Sequence, residues 1–151
     1  IPSSYILETN AEFVPSGGIL PVEATEFDFR YGKNIGKDIE KQTQQLEWNR
    51  GYNHCYVFSL SDERKMKWAA SVYEPKLRRK LDTYPGVLFY SSGYLSSQIV
   101  GKQGYKYTPA CGFCLETQYF PDFPNHSEFP QGVVSPEKPY HHTTLYKLSV
   151  V

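Results

Sequence analysis

Hydrophobic and polar positions along this chain alternate in short runs, and proline and glycine cut the runs apart. The segments "SSYILET", "YNHCYVFSL", "KMKWAASVYE", "KLRRKLDTY", "GVLFYSS", "CGFCLETQYF" and "HTTLYKLSV" each predict a strand. They are rich in aromatic and β-branched residues and are bounded by turn formers. "VPSGGILPVE" reads as a turn-rich passage leading into "EFDFR". Only "GKDIEKQTQQLE" has helical character, because Ile39 and Leu46 lie seven apart and share a helix face. Partners at three- and four-residue spacing are thin, so a short helix and a polar loop both stay open. The passage "PDFPNHSEFPQGVVSPEKP" is too proline-rich for a regular element. Many short strands at this spacing predict an all-β fold, an antiparallel sandwich or barrel.

The strongest local charge cluster is "KLRRKL". At period two, Leu77, Arg79 and Leu81 share one face while Arg78 and Lys80 share the other. This pattern reads as a solvated strand face that guards a sheet edge, with a partner-binding patch as the alternative.

Composition narrows the classes. A chain of 151 residues suits one domain with a real core. Sixteen basic and sixteen acidic side chains balance, so no field for nucleic acid or an anionic membrane is expected. No apolar run reaches the roughly 18 residues that span a bilayer. The start, "IPSSYILETN", has neither Met nor the pattern of a signal peptide, so the chain is expected to begin inside a longer protein, by processing or by numbering.

Three cysteines, Cys55, Cys111 and Cys114, make no disulfide framework. "CGFC" has the spacing of a redox or zinc site. It lacks a second ligand pair and opens a strand rather than a helix, so ordinary buried thiols are the expectation. Asn125 starts a glycosylation acceptor, "NHS", relevant only in a secreted chain.

Glu116 is the ionisable group that stands out, set among Phe113, Leu115, Tyr119 and Phe120. Burying an unpaired carboxylate is costly, so it is paired, exposed at a cleft, or a working group. Along a strand, Cys114, Glu116 and Gln118 face one way and Phe113, Leu115, Thr117 and Tyr119 the other. One face can pack in a core while the other lines a cleft. Apolar neighbours there would raise the carboxylate's pKa toward the range useful for proton transfer.

Five blocks read together carry a resemblance: "ILPVEATEFDFR", "RGYNHCYVF", "YPGVLFYSSGYL", "GFCLETQYFPDFPNHSEFP" and "HHTTLYKLS". In this order they resemble the C-terminal part of the aldose 1-epimerases, or galactose mutarotases. That family's patterns run P-V-x-G-T-x-F-D-F-R, G-Y-D-H-N, P-G-V-Q-F-Y-T-G-N-F-L, G-F-C-L-E-T-Q-x-x-P-D-x-x-N-x-x-x-F-P and Y-x-H-T-T-x-Y-x-F. The resemblance implies a large antiparallel β-sandwich with a sugar cleft. Residues 1–151 would be the C-terminal part of one such domain and form about half of it. It also implies interconversion of the α and β anomers of hexoses. A glutamate takes the proton of the anomeric hydroxyl, a histidine protonates the ring oxygen, and the opened ring recloses as the other anomer. By match to G-F-C-L-E-T-Q the base is Glu116, with Gln118, Asn53 and Leu88 at substrate-binding positions. The implied reaction needs no metal or organic cofactor, and the implied compartment is cytoplasmic. The Asn125 acceptor and the N-terminus leave an extracellular one open.

The pattern also breaks. The family's acid histidine lies upstream of Ile1, and no histidine here is expected to replace it. His54 and His142 are expected to be structural and hydrogen-bonded, and His126 and His141 exposed. Asn53 replaces an aspartate that accepts sugar hydroxyls, and Leu88 replaces a glutamine that reaches the sugar. Each lost polar contact costs on the order of 1–3 kcal/mol. Smaller departures are "SSGYL" for T-G-N-F-L, Cys55 for asparagine, and "SPEKPY" for P-G-E-x-Y. Two readings follow: an epimerase completed by an N-terminal half of the same fold, present as a separate or cleaved chain, or a non-catalytic relative that binds a different small ligand.

Overall fold

The computed structural model describes residues 1–61, 66–74, 77–83 and 85–150. Among these residues the strands are β1 (Tyr5–Thr9), β2 (Pro15–Pro21), β3 (Asn53–Val57), β4 (Lys67–Glu74), β5 (Leu77–Thr83), β6 (Gly86–Tyr90), β7 (Cys114–Gln118) and β8 (Leu145–Val150). All seven segments expected as strands form one. They build a five-stranded sheet in the order β2-β1-β3-β6-β7 and a three-stranded sheet in the order β4-β5-β8. Every pairing between these strands is antiparallel.

Two sequence expectations need correction. The turn-rich passage "VPSGGILPVE" contains β2, paired with β1 through Tyr5–Pro21, Ile6–Leu20 and Leu7–Ile19. Prolines open and close this strand, and the strand lies at the rim of its sheet. Those are positions where a missing N–H is tolerated. The strand in "KLRRKL" is not an edge. β5 lies between β4 and β8, so both of its backbone rims are paired. The charged side chains of that run lie outside the described residues.

The expected helical stretch divides. Ile35–Lys37 make one turn of 3-10 helix, and helix α1 covers only Gln44–Asn49. Between them Asp38 bonds Lys33 at 2.7 Å and Lys41 at 3.0 Å. The Lys33 bond, then Lys41, hold its carboxyl well below the usual range, at about 2. Ile39 still packs against the core and Leu46 is buried, so the shared face survives without a continuous helix. α1 ends where Arg50 adopts the left-handed conformation and the Gly51 N–H returns to the Leu46 carbonyl at 2.9 Å.

"EFDFR" is not a strand. It runs in successive turns, with Thr25 N–H bonded to Val22 O, Asp28 to Thr25 and Gly32 to Phe29. These turns tuck Phe27 and Phe29 under the larger sheet, where they meet Tyr52 and Phe89 edge-on at 5.2–5.8 Å. With Ile6, Tyr56, Val87 and Leu46 they form the main core, and Ala69 and Ala70 of β4 join it. Each of the larger apolar side chains among these, such as Ile6, Leu46, Val87 and Phe89, contributes about 1.5–3 kcal/mol by its burial. The smaller cluster lies on the sheet's other face, built from Leu7, Cys55, Val57, Phe120 and Phe129.

Candidate active site

The register of β3, β6 and β7 fixes which side chains share the second face. Asn53 pairs with Tyr90, and Tyr90 with Cys114. Cys55 pairs with Leu88, and Leu88 with Glu116. Val57 pairs with Gly86, and Gly86 with Gln118. Directly opposed residues of paired strands point to the same side. Glu116, Gln118, Leu88 and Asn53 therefore share one face of one sheet, three strands wide.

One end of this face is covered. Phe120 is fully buried over Gly86, where a Cβ would come within 3.0 Å of its ring and 2.9 Å of Cys55 Sγ. Phe129 meets Phe120 edge-on at 5.3 Å. Gln131 ties the covering segment together by donating through Nε2 to the carbonyls of Phe123, His126 and Phe129 at 2.9–3.1 Å. His126, expected to be exposed, is instead an anchor. Its side chain keeps 16% exposure, lies tilted against Phe129 at 4.7 Å, and lies 3.1 Å from Glu128 and 3.3 Å from the Pro15 carbonyl. The proline-rich passage thus forms a wall, with a 3-10 turn at Phe123–Asn125.

Beyond the wall the face is open. Glu116 is exposed, and Leu88, Asn53, Tyr90 and Gln118 are half-buried. Among the described residues no hydrogen bond or ion pair holds the Glu116 carboxylate. Of the three alternatives for this acid, pairing within the described chain is excluded and exposure is found. The apolar enclosure expected around it is not supplied here, since Cys114 is exposed and Leu115 only half-buried. Tyr90, which sequence reasoning did not single out, stands two positions from Leu88 on the same face. Its hydroxyl accepts the Tyr94 N–H at 3.2 Å. Period-two counting from Leu88 would have found it.

His54 points the other way. It pairs with Phe89, and Phe89 with Leu115, on the face opposite Glu116. Its Nδ1 accepts the Asn53 N–H at 3.1 Å, which leaves the proton on Nε2 to be donated to Gln45 Oε1 at 3.1 Å. Gln45 also accepts from the Thr9 N–H and hydroxyl, and Asn49 donates to Thr9 Oγ1 at 2.8 Å. Burial pushes the His54 pKa down to about 3, so the ring is neutral. The expected structural, hydrogen-bonded histidine is what the fold contains. His142 is half-buried and stacks with Tyr140 at 6.3 Å, and burial, then its neighbour His141, lower its pKa. His141 is exposed, as expected.

The cysteines divide. Cys55 is buried and its thiol is pushed up by desolvation. Cys111 and Cys114 are exposed, contrary to the expectation of buried thiols. Cys111 lines an open pocket with Ile35, Ile39, Ser91 and Phe113. Among the described residues no three His, Cys, Asp or Glu side chains are grouped to hold a metal ion, and no helix is long and apolar enough to cross a membrane.

Comparison with known proteins agrees with this architecture. The galactose mutarotase of Rattus norvegicus is 36% identical over 153 residues, covering 99% of this chain and 43% of that protein. The galactose mutarotase of Homo sapiens is 35% identical over the same shares. The aldose 1-epimerase of Escherichia coli K12 is 31% identical over 121 residues, covering 78% of this chain and 34% of its own. The chain thus spans less than half the length of these relatives.

Among solved structures, a GalM/aldose epimerase homologue from C. elegans superposes with a TM-score of 0.78 at 24% identity, over 100% of this chain and 45% of that one. A galactose 1-epimerase from Lactobacillus acidophilus NCFM gives 0.71 at 19%, over 99% and 42%. The fold is therefore the antiparallel β architecture of the galactose mutarotases, of which this chain forms about half. The aldose 1-epimerase family model matches residues 1–147, and the chain belongs to that family.

Proposed function

We propose that this chain is the C-terminal, base-bearing part of a single mutarotase-like domain that interconverts the α and β anomers of a hexose. The observation that carries this reading is the exposed Glu116, on one sheet face with Asn53, Leu88 and Gln118. Glu116 takes the proton of the anomeric hydroxyl as the C1–O5 bond breaks, and returns it on reclosure. The ring oxygen gains its proton from an acid in the remainder of the domain, since His54 is buried, neutral and on the opposite face. General base catalysis of this kind contributes about 10²–10⁴-fold. Gln118 and Asn53 are the amides on this face that can bond sugar hydroxyls.

The remainder of the same fold, in the same polypeptide or as a separate or cleaved chain, is the proposed partner. Tyr146 and Leu148 of β8 are 61% and 71% exposed, an apolar surface that such a partner covers. Polarimetry of freshly dissolved α-glucose or α-galactose tests the reading. Full-length protein that speeds mutarotation above the buffer rate supports it, and a rate equal to buffer contradicts it.

A second reading has its own support. Asn53 carries no charge and Leu88 no hydrogen bond, which favours a relative that binds a differently substituted ligand without turnover. Calorimetric titration with simple hexoses separates the two. Binding of simple hexoses at ordinary affinity counts against this second reading, and no binding directs the search to another ligand class.

A further inference from the structure

β6 lies between β3 and β7 and brings Leu88 and Tyr90 to the open part of the face. Leu88 has no polar side-chain atom, so Tyr90 supplies the hydrogen bonding that this strand offers there. Tyr90 stands directly across from Asn53 on one side and from Cys114 on the other. Since Leu88 is the residue across from Glu116, Tyr90 and Glu116 are diagonal neighbours. Such neighbours lie about 7–8 Å apart, within reach of an aromatic side chain.

The turn after β6 fixes what the Tyr90 hydroxyl can do. Ser91 N–H donates to the Tyr52 carbonyl at 2.8 Å, and Tyr52 N–H donates to Ser91 Oγ at 2.9 Å. Gly93 is pressed against the end of α1, where a Cβ would come within 1.8 Å of the Arg50 carbonyl oxygen. Tyr94 is held from three sides. Its hydroxyl donates to the Trp48 carbonyl at 3.2 Å, its ring meets Phe13 edge-on at 5.5 Å, and the Arg50 guanidinium lies 5.0 Å from the ring centre. The N–H of this anchored residue donates to the Tyr90 oxygen at 3.2 Å. A backbone N–H can only donate, so Tyr90 is the acceptor in that bond and keeps its own proton to give. Among the described residues nothing accepts that proton, and the neighbouring Asn53 side-chain amide makes no hydrogen bond.

We infer that Tyr90 is a sugar-binding residue whose hydroxyl donates to one hydroxyl of the sugar other than the anomeric one. This step rests on the anomer-interconverting reading of Glu116, which engages the anomeric hydroxyl. Glu116 as a carboxylate only accepts, so a bound sugar also needs donors, and Tyr90 is a neutral one aimed by its own turn.

A neutral hydrogen bond of this kind is expected to change binding by about 2–10-fold. Mutarotation by the full-length protein and by Tyr90→Phe is followed with glucose and galactose. The faster of the two is then compared with its monodeoxy forms lacking the hydroxyl at C2, C3, C4 or C6. Tyr90→Phe is expected to raise KM for the parent sugar by about 2–10-fold with kcat unchanged, the signature of lost uniform binding. For one of the monodeoxy sugars the substitution is expected to change nothing, because its partner hydroxyl is already gone. Urea unfolding of the variant confirms that it folds. An unchanged KM for the parent sugar overturns the inference. So does a rise in KM that is the same for the parent and all four monodeoxy forms, since that is what a purely structural tyrosine gives. Either result, with turnover intact, leaves the reading of Glu116 standing. Turnover of neither parent sugar by the unmodified protein refutes both.

Discussion

Phe120 closes one end of the candidate site, and its removal has a calculable consequence. The ring is fully buried, meets Phe129 at 5.3 Å, and lies over the bare backbone of Gly86. Phe120→Ala deletes a buried ring that the wall cannot fully collapse around, which costs about 3–5 kcal/mol. That is a large part of the 5–15 kcal/mol by which domains are typically stable. Gly86→Ala loads the same place from the other side. Its Cβ would lie 3.0 Å from the Phe120 ring and 2.9 Å from Cys55 Sγ. Overpacking of this kind costs about 1–3 kcal/mol.

The two substitutions share a contact, so they should not add. With the ring gone, only the Cys55 clash remains, and Gly86→Ala should cost less in Phe120→Ala than in the unmodified protein. Urea unfolding of the full-length protein and the three variants gives the cycle. A coupling of about 0.5–3 kcal/mol in the relieving direction is expected for residues in contact. Strict additivity, or a cost of Phe120→Ala below about 1 kcal/mol, would refute the packing described between the wall and β6.

Three further outcomes follow from named groups. His54 is held neutral, with a folded pKa of about 3 against 6.5 when unfolded, so the unfolded state binds the extra proton between these values. Its contribution is present above pH 6.5 and is lost as pH falls, at a limiting slope of about 1.4 kcal/mol per pH unit. His54→Gln should flatten unfolding free energy between pH 6.5 and 5 relative to the unmodified protein, and parallel curves would contradict the burial. Cys111 and Cys114 should take up iodoacetamide in the native state while Cys55 reacts only in denaturant, as peptide mass spectrometry would read. Gln131→Ala leaves the carbonyls of Phe123, His126 and Phe129 without that donor. Limited proteolysis should then cut the 120–131 passage faster, and an unchanged cleavage rate would count against the clamp.

The strands were legible because each is a local run of alternating or aromatic residues, and β7 displays its two faces in five letters. β2 was not, since Pro15, Gly17, Gly18 and Pro21 carry the local signal of a turn, and only pairing with β1 overrides it. The place of "KLRRKL" was illegible for a related reason. Whether a strand is central depends on partners distant in the chain, here β8 as well as β4. Sequence parity put Glu116 and Gln118 on one face, but it could not set Leu88 opposite Glu116, which is a matter of register between β6 and β7. His126 misled because its anchor, the Pro15 carbonyl, lies 111 residues away. The cysteines of "CGFC" misled because β7 is, among the described residues, the last strand of its sheet, and Cys114 stands exposed on it.

The central claim is that Glu116 removes the anomeric proton, and one substitution tests it most directly. Glu116→Gln keeps the shape of the side chain and removes the base, and its exposed position predicts a stability change within about 0.5 kcal/mol. Polarimetry should then show catalysed mutarotation reduced by about 10²–10⁴-fold, with unfolding behaviour unchanged. A Glu116→Gln protein that folds normally and mutarotates its sugar at the unmodified rate would contradict the account.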